Sequence, residues 1–446
     1  MGVKRGRGWG TGVLCTLAAA CGNTGGFAAD AQRLPPHHER LYTASARSAF
    51  KIDADFPGGN VIVLAVDGDK VSLQPDARGK GQWFYWAFRI RGAEGRTLDF
   101  EFPKGPSVGN GPVGARGPAV SHDGGVTWRW LSDTPGFART AFRYAFGAGE
   151  KDVLFSVGMN YTEKDLNRFL EKHKGNPDLK VGTLCKSRKG RDVELIRIPG
   201  KGDGAEFKLF FVSRHHSCEM MATRVLEGIM EAALSDSDDG RWLRGHCDFF
   251  IVPFADKDGV EEGDHGKNRK PYDHNRDYHE TRRIYPEVRA ITEQVPVWQN
   301  GRPMIFMDMH CPVLRNREGG ESDWQESVFF YSPAAERSAA ALKRFCTILE
   351  AERKGPIPHR EEFNMLFGTA ANKPDGLEPT RCNRWGGTLP GVIFEASLEV
   401  PYANALGVAV DADSSRALGC DFARAIRVYL ETLLSNHGEE TNEGRR

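Results

Sequence analysis

The densest chemistry in the sequence follows an apolar run, Phe207 to Ser213, after which His215, His216, Ser217, Cys218 and Glu219 open an amphipathic stretch. His216 and Glu219 stand three apart. An imidazole and a carboxylate at that spacing in a turn can converge on one zinc ion. A second apolar run, from Met304, ends in Asp308, Met309 and His310. His310 is therefore a candidate third ligand, and Asp308 a carboxylate able to fix the tautomer of a ligand imidazole from behind. Each fragment also has a plainer reading. HxxE is common at surfaces, and a histidine at a strand end often just bonds backbone.

Two more stretches carry polar groups at telling places. Asp256 to Tyr278 follows a strand and holds Lys267, Arg269 and the pair Asn275-Arg276. A guanidinium grips a carboxylate with a two-pronged fork, and an amide adds a neutral hydrogen bond. The apolar segment Gly391 to Tyr402 contains Glu395 and Glu399, four apart and thus on one side of a strand. A carboxylate buried there needs a partner or a role. Either can act as general base toward an attacking water.

These groups need elements to hold them. From Phe50 to Gly158 short apolar or alternating runs (Val61–Val66, Trp83–Ile90, Thr97–Phe102, Val153–Val157) are separated by Gly, Asp and Pro clusters, the pattern of an antiparallel β-sandwich. At Tyr161-Thr162 the text changes. Thr162 reads as a helix N-cap, and beyond it strands (Val193–Ile198, Phe207–Ser213, Phe249–Phe254, Met304–Met309, Val392–Val400) alternate with helical periods (Glu219–Leu234, Tyr285–Glu293, Ala334–Lys354, Ser414–Leu434). This is an α/β domain with a mixed central sheet, and such folds place sites at the carboxyl ends of their strands. The expected organisation is a signal peptide (1–31), a linker (32–46), a β-sandwich domain (47–160), a catalytic α/β domain (161–436) and a polar, disordered tail (437–446).

Composition narrows the partners. The 446 residues carry 60 Lys plus Arg and 60 Asp plus Glu, so the net charge gives no reason to expect nucleic acid or an anionic membrane. Lys4, Arg5 and Arg7 precede a short apolar run, Thr11 to Cys21, and small residues around Ala28–Ala31 offer cleavage sites; Cys21 offers a lipidation site as an alternative. The chain is thus expected to be exported, periplasmic or extracellular, with no transmembrane anchor. Nine cysteines without a CxxC pair do not form a disulfide framework. Oligomeric state is not legible.

In order along the chain, His216-Ser217-Cys218-Glu219, Asn275-Arg276, His310 and Glu399, with Gly190–Ile198 (GRDVELIRI) upstream, resemble the zinc carboxypeptidase family (carboxypeptidase A-like). Phe56–Val61 (FPGGNV), Gln82–Ile90 and Asn160–Leu166 are similar to its cytosolic carboxypeptidase subgroup, which has a β-sandwich ahead of the catalytic domain. The resemblance spans residues 48 to 432. It implies Zn2+ on His216, Glu219 and His310, and a peptide or protein C-terminus gripped by Asn275 and Arg276. It implies Glu399 as base, with Glu395 as the alternative, and Arg269 against the oxyanion, with Lys267 as the alternative. Cations between Gly355 and Gly391 (Lys373, Arg381, Arg384) could receive an acidic terminal residue of the substrate; solvation at the surface is their plainer reading. Two rivals remain. One is a zinc amidase or deacylase acting on a carboxylate-bearing non-protein or cell-wall peptide amide. The other is a binding protein without catalysis. Export separates the chain from its cytosolic relatives and makes tubulin an unsuitable substrate.

Overall fold

The computed structural model describes residues 49–78, 83–103, 111–201, 205–314, 326–369, 372–374 and 380–443. The expected signal peptide and linker lie outside the described residues. Nine strands come first: β1 (Lys51–Asp53), β2 (Ile62–Asp67), β3 (Lys70–Gln74), β4 (Ala87–Arg91), β5 (Thr97–Glu101), β6 (Ala119–Ser121), β7 (Arg129–Trp130), β8 (Ala141–Ala145) and β9 (Asp152–Ser156). They form two sheets, β1-β4-β9-β6-β7 and β2-β3-β5-β8. Aromatic rings close the space between them: Phe88 and Phe155 of one sheet meet Phe100 of the other at 5.5 and 5.6 Å. Pairing is antiparallel except for β3 with β5, which run parallel because the chain crosses to the other sheet for β4 between them.

The apolar run from Trp83 becomes strand only from Ala87. Trp83 and Phe84 instead turn toward the second half of the chain, while Trp86 stays among Phe88, Phe102 and Phe142 in the sandwich core. Trp83 and Phe84 pack on the His265 ring, with centroids 4.8 and 4.6 Å apart.

The second half begins with α1 (Glu163–Lys172), preceded by Thr162, whose backbone N–H donates to Asp165 Oδ2 at 2.9 Å. There follow β10 (Lys180–Lys186), β11 (Asp192–Ile198), β12 (Phe207–Ser213), α2 (Met220–Leu234), α3 (Asp238–His246), β13 (Cys247–Val252), α4 (Lys257–Glu262), α5 (Pro286–Gln299), β14 (Met304–His310), β15 (Phe329–Tyr331), α6 (Glu336–Glu352), α7 (Cys382–Gly386), β16 (Val392–Glu399), a small β17–β18 hairpin (Asn404–Ala405, Val408–Ala409) and α8 (Ala412–Glu443). The central sheet has the order β10-β11-β13-β12-β14-β16-β15. Its inner strands β13, β12, β14 and β16 are parallel, and β10, β11 and β15 are antiparallel to their neighbours.

Helices cover both faces, which explains why the inner strands read as continuous apolar runs. Leu209, Phe211, Ile305 and Leu398 join one core with residues of α2, α6 and α8, while Phe210, Phe250 and Phe306 join the other with α5 and α7. α8 runs to Glu443, through the stretch expected to be disordered from 437; its Glu- and Asn-containing turns extend a helix already nucleated against α2 and α6. No described helix is long and apolar enough to cross a membrane.

Candidate metal centre at the carboxyl ends of β12, β14 and β16

The three parallel strands β12, β14 and β16 end side by side, and the candidate chemistry sits just past or at those ends. Beyond Ser213 the chain turns sharply. Arg214 takes a left-handed conformation (φ 63°), and its buried guanidinium donates to the carbonyls of Ser217 and Tyr161, each at 2.9 Å. A side chain in that backbone region is strained, and the two carbonyl bonds hold it there. The corner delivers His216 and then Glu219 at the start of α2, where the aligned peptide dipoles favour a negative charge.

His216 Nδ1 lies 2.9 Å from Glu219 Oε1, and His310 Nδ1 lies 2.7 Å from Glu219 Oε2. The donor atoms of His216, Glu219 and His310 all fall within 4.8 Å of one another. All three residues are buried. Burial pushes the Glu219 carboxyl up, but His216, Lys267 and His310 outweigh it and hold the group well below the usual carboxylate range. Two imidazoles and one ionised carboxylate converging from a strand-helix corner and a strand end fit zinc, with room for a further ligand. They would hold the ion through His216, Glu219 and His310.

Each ligand imidazole has a second carboxylate behind it. Asp308 Oδ2 lies 2.7 Å from His310 Nε2, the orienting contact anticipated from sequence. Asp273 Oδ1 faces His216 Nε2 at 3.6 Å. Asp273 received no role from sequence; its place two residues before Asn275 in a loop returning to the strand ends was the available signal.

The two cations separate clearly. Arg269, chosen from sequence to face the oxyanion, is taken up by two carboxylates, Asp256 at 2.7 Å and Asp264 at 2.5 Å. It lines a cavity of about 590 Å³ with Trp83, His274 and Lys267 itself, so the cavity does not tell the two cations apart; their ion pairs do. Lys267 instead brings its Nζ to 2.7 Å from Glu219 Oε1. The difference in placement has a steric cause. Gly266 has φ 83°, and a Cβ there would meet the Ser217 backbone nitrogen at 2.4 Å, so only glycine lets this loop lie on the His216–Ser217 corner. The residue after it then points into the cluster.

The two glutamates separate as well. Glu399 is the register partner of His310 in the β14–β16 pair, whereas Glu395 pairs with Phe306, more than one turn of pleat away. Burial pushes the Glu399 carboxyl up to about 7, against pulls from His310, Lys267 and His216 and with a further push from Glu219, so its charged neighbours are the metal cluster itself. Glu395 is also pushed up to about 7 by burial, but its neighbours are Ser338 and Arg384.

Asn275 and Arg276 stand on a single 3-10 turn, His274–Arg276. Asn275 Oδ1 accepts from the Cys382 backbone N–H at 3.0 Å, and its Nδ2 packs 2.9 Å from His310 Nε2. Arg276 is half-buried, and among the described residues no carboxylate lies within ion-pair distance of it. Tyr331, which sequence passed over, stands on the antiparallel edge strand β15 opposite Ser397. Burial raises its hydroxyl well above the ordinary value; Glu399 pushes in the same direction, while Lys267, Arg381 and Arg276 oppose. The hydroxyl therefore shares the electrostatic surroundings of Glu399, Lys267 and Arg276. Of the other cations, Arg384 donates to Asn372 Oδ1 at 2.5 Å and covers the Phe367 ring at 4.4 Å, and Lys373 is exposed. The seven cysteines among the described residues are free thiols.

Residues 166–300, which carry the HxxE corner and the Asn275-Arg276 turn, match the profile of the zinc carboxypeptidase family. That segment is similar to a zinc carboxypeptidase domain. The chain is 32% identical over 127 residues to cytosolic carboxypeptidase 2 of Xenopus tropicalis, covering 26% of the chain and 13% of that protein. It is 29% identical over 141 residues to cytosolic carboxypeptidase 6 of Caenorhabditis elegans, 30% of each. It therefore spans well under half the length of these curated relatives. Among solved structures, it superposes on a metallo-carboxypeptidase of Burkholderia cenocepacia with TM-score 0.69 at 20% identity, covering 86% of this chain and 100% of that one. A metallo-carboxypeptidase of Pseudomonas aeruginosa gives TM-score 0.66 at 21% identity, over 85% and 99%. Both share the fold, sandwich included.

Proposed function

We propose that the protein is a zinc-dependent metallocarboxypeptidase that removes C-terminal amino acids from peptides, with Glu399 as general base. The observation that carries this reading is the register pairing of Glu399 with His310 beside Glu219, while Glu399 Oε2 is buried with no hydrogen-bond partner among the described residues. A carboxylate oxygen held without a donor next to a metal cluster is ready to take a proton from a water entering that cluster.

Zinc on His216, Glu219 and His310 supplies Lewis acidity to the scissile carbonyl and to water. Glu399 accepts the proton of the attacking water and passes it to the leaving amine. The Lys267 ammonium stands where it can donate to the oxygen that gains negative charge. Asn275 and Arg276 take the terminal carboxylate of the substrate, which sets the register for release of one residue. Arg381, with Arg276 in the field of Tyr331, favours an acidic terminal side chain. Export belongs to the same reading, on the charge and apolar pattern of residues 4–31; amino-terminal sequencing of the mature protein tests it.

A peptide library varied at its last residue, assayed with and without a chelator, tests the activity. Chelator-sensitive release of single terminal amino acids is expected, fastest for Glu or Asp. Cleavage confined to C-terminally blocked or acylated amides would replace this reading with the amidase one.

A further inference from the structure

We propose that His215, adjacent in sequence to a ligand but facing away from it, is a positioning residue for the metal centre that acts on His310 through Asp308. The inference rests on the metal reading above and goes beyond it.

His215 is fully buried, as is Asp308. Its Nδ1 lies 2.8 Å from Asp308 Oδ1, and its Nε2 lies 2.7 Å from the Tyr278 hydroxyl. The other Asp308 oxygen faces His310 Nε2 at 2.7 Å. One carboxylate thus spans two imidazoles, one oxygen to each. An ionised carboxylate only accepts, so both imidazoles must donate to it. The protons of the whole chain follow. His215 carries its hydrogen on Nδ1, and its Nε2 accepts from the Tyr278 hydroxyl. His310 carries its hydrogen on Nε2, leaving the Nδ1 lone pair facing Glu219 and the metal position. With a donor on only one oxygen, Asp308 is free to turn and His310 loses its fixed orientation; with both occupied it is locked.

A competing use of the same atoms is a second metal, since donors of His215, Asp308 and Cys382 also lie within 4.8 Å of one another. Both His215 nitrogens are already engaged in hydrogen bonds, and burial keeps the Cys382 thiol protonated well above its ordinary value. The hydrogen-bonded arrangement gives both His215 nitrogens and both Asp308 oxygens a partner without an ion.

The test is zinc affinity of the full chain, by competition with a chromophoric chelator, for wild type, His215→Ala, His215→Asn and His215→Gln. An Asn amide places its N–H where Nδ1 was; a Gln amide places it near Nε2. His215→Ala and His215→Gln are expected to bind zinc about 10- to 100-fold more weakly, and His215→Asn within about threefold of wild type. Elemental analysis is expected to give one zinc per chain. Equal affinity in His215→Ala and wild type overturns the proposal, as do equal losses in Asn and Gln, or two zinc ions per wild-type chain. If circular dichroism shows the His215 variants unfolded, Tyr278→Phe decides: it removes one hydroxyl and keeps the ring. A severalfold loss of zinc affinity supports the relay, and no change overturns it. A wild-type chain that binds no zinc would instead defeat the metal reading itself.

Discussion

His310 and Glu399 are register partners at the adjoining carboxyl ends of β14 and β16. One is a candidate ligand and the other a carboxyl pushed up to about 7, chiefly by burial. Their neighbourhood is set by backbone hydrogen bonds between β14 and the buried part of β16 from Phe394 on, so it does not depend on a loop choosing a conformation.

That pairing gives the first prediction. A general base must be deprotonated, so kcat/KM should rise with pH along an acidic limb whose midpoint lies at or below about 7, a bound cation drawing it lower. Glu399→Gln should abolish the limb and cut kcat by about 10²- to 10⁴-fold with zinc retained. Full activity in that variant would move the role to Glu395.

The two cations should fail in different ways. Lys267→Met is expected to cut kcat by about 10²- to 10³-fold with little loss of stability. Arg269→Met leaves Asp256 buried without its guanidinium, which costs about 3–5 kcal/mol in stability while kcat of the folded fraction stays within severalfold. Denaturant melts beside initial rates distinguish these, and the reverse pattern would restore Arg269 to the site.

Metal removal should act on stability as well as rate. A zinc ion held by His216, Glu219 and His310 binds the folded chain and not the unfolded one, so the chelated chain should melt earlier. At free zinc about 1,000-fold above its dissociation constant the difference is about 4 kcal/mol. His310→Ala should lose both zinc and that increment. A melting temperature indifferent to chelator would contradict the ligand set.

Glu395 gives a prediction independent of catalysis. Burial raises its carboxyl from 4.5 to about 7, so between those values the folded chain binds more protons than the unfolded one. Stability contributed by the neutral acid is present in full below pH 4.5 and is lost as pH rises through about 7. Glu395→Gln should therefore be more stable than wild type at pH 8, by up to about 3 kcal/mol, and no more stable at pH 4. Urea midpoints at the two pH values check the sign.

The site was legible to the extent that it lies on regular elements. Apolar runs ending in His216 or His310, and a strand carrying Glu399, announce themselves because buried parallel strands are continuous in hydrophobicity and side chains at their ends are few. The loop residues were not. Lys267 and Arg269 differ by two positions in a highly charged segment, and only the close approach of Gly266 to Ser217 decides which faces inward. Asp273, Tyr278 and Tyr331 were missed because their partners are far away in sequence. The run Trp83–Trp86 read as strand because bulky aromatic residues favour sheets and interdomain packing alike.

That aromatic run bears on how the Lys267 loop is held. The first half of the chain grips the segment leading into the loop: Asn60 Nδ2 donates to the Gly263 carbonyl at 2.8 Å, the Gly58 N–H to the Glu261 carbonyl at 2.9 Å, and Trp83 and Phe84 clasp the His265 ring. The ammonium two residues on is thereby stationed before any substrate arrives, and little reorganisation is left for the reacting state to drive. The β-sandwich is in that sense an outer wall of the electrostatic site, and a catalytic half expressed without it would keep its ligands while its cation wandered.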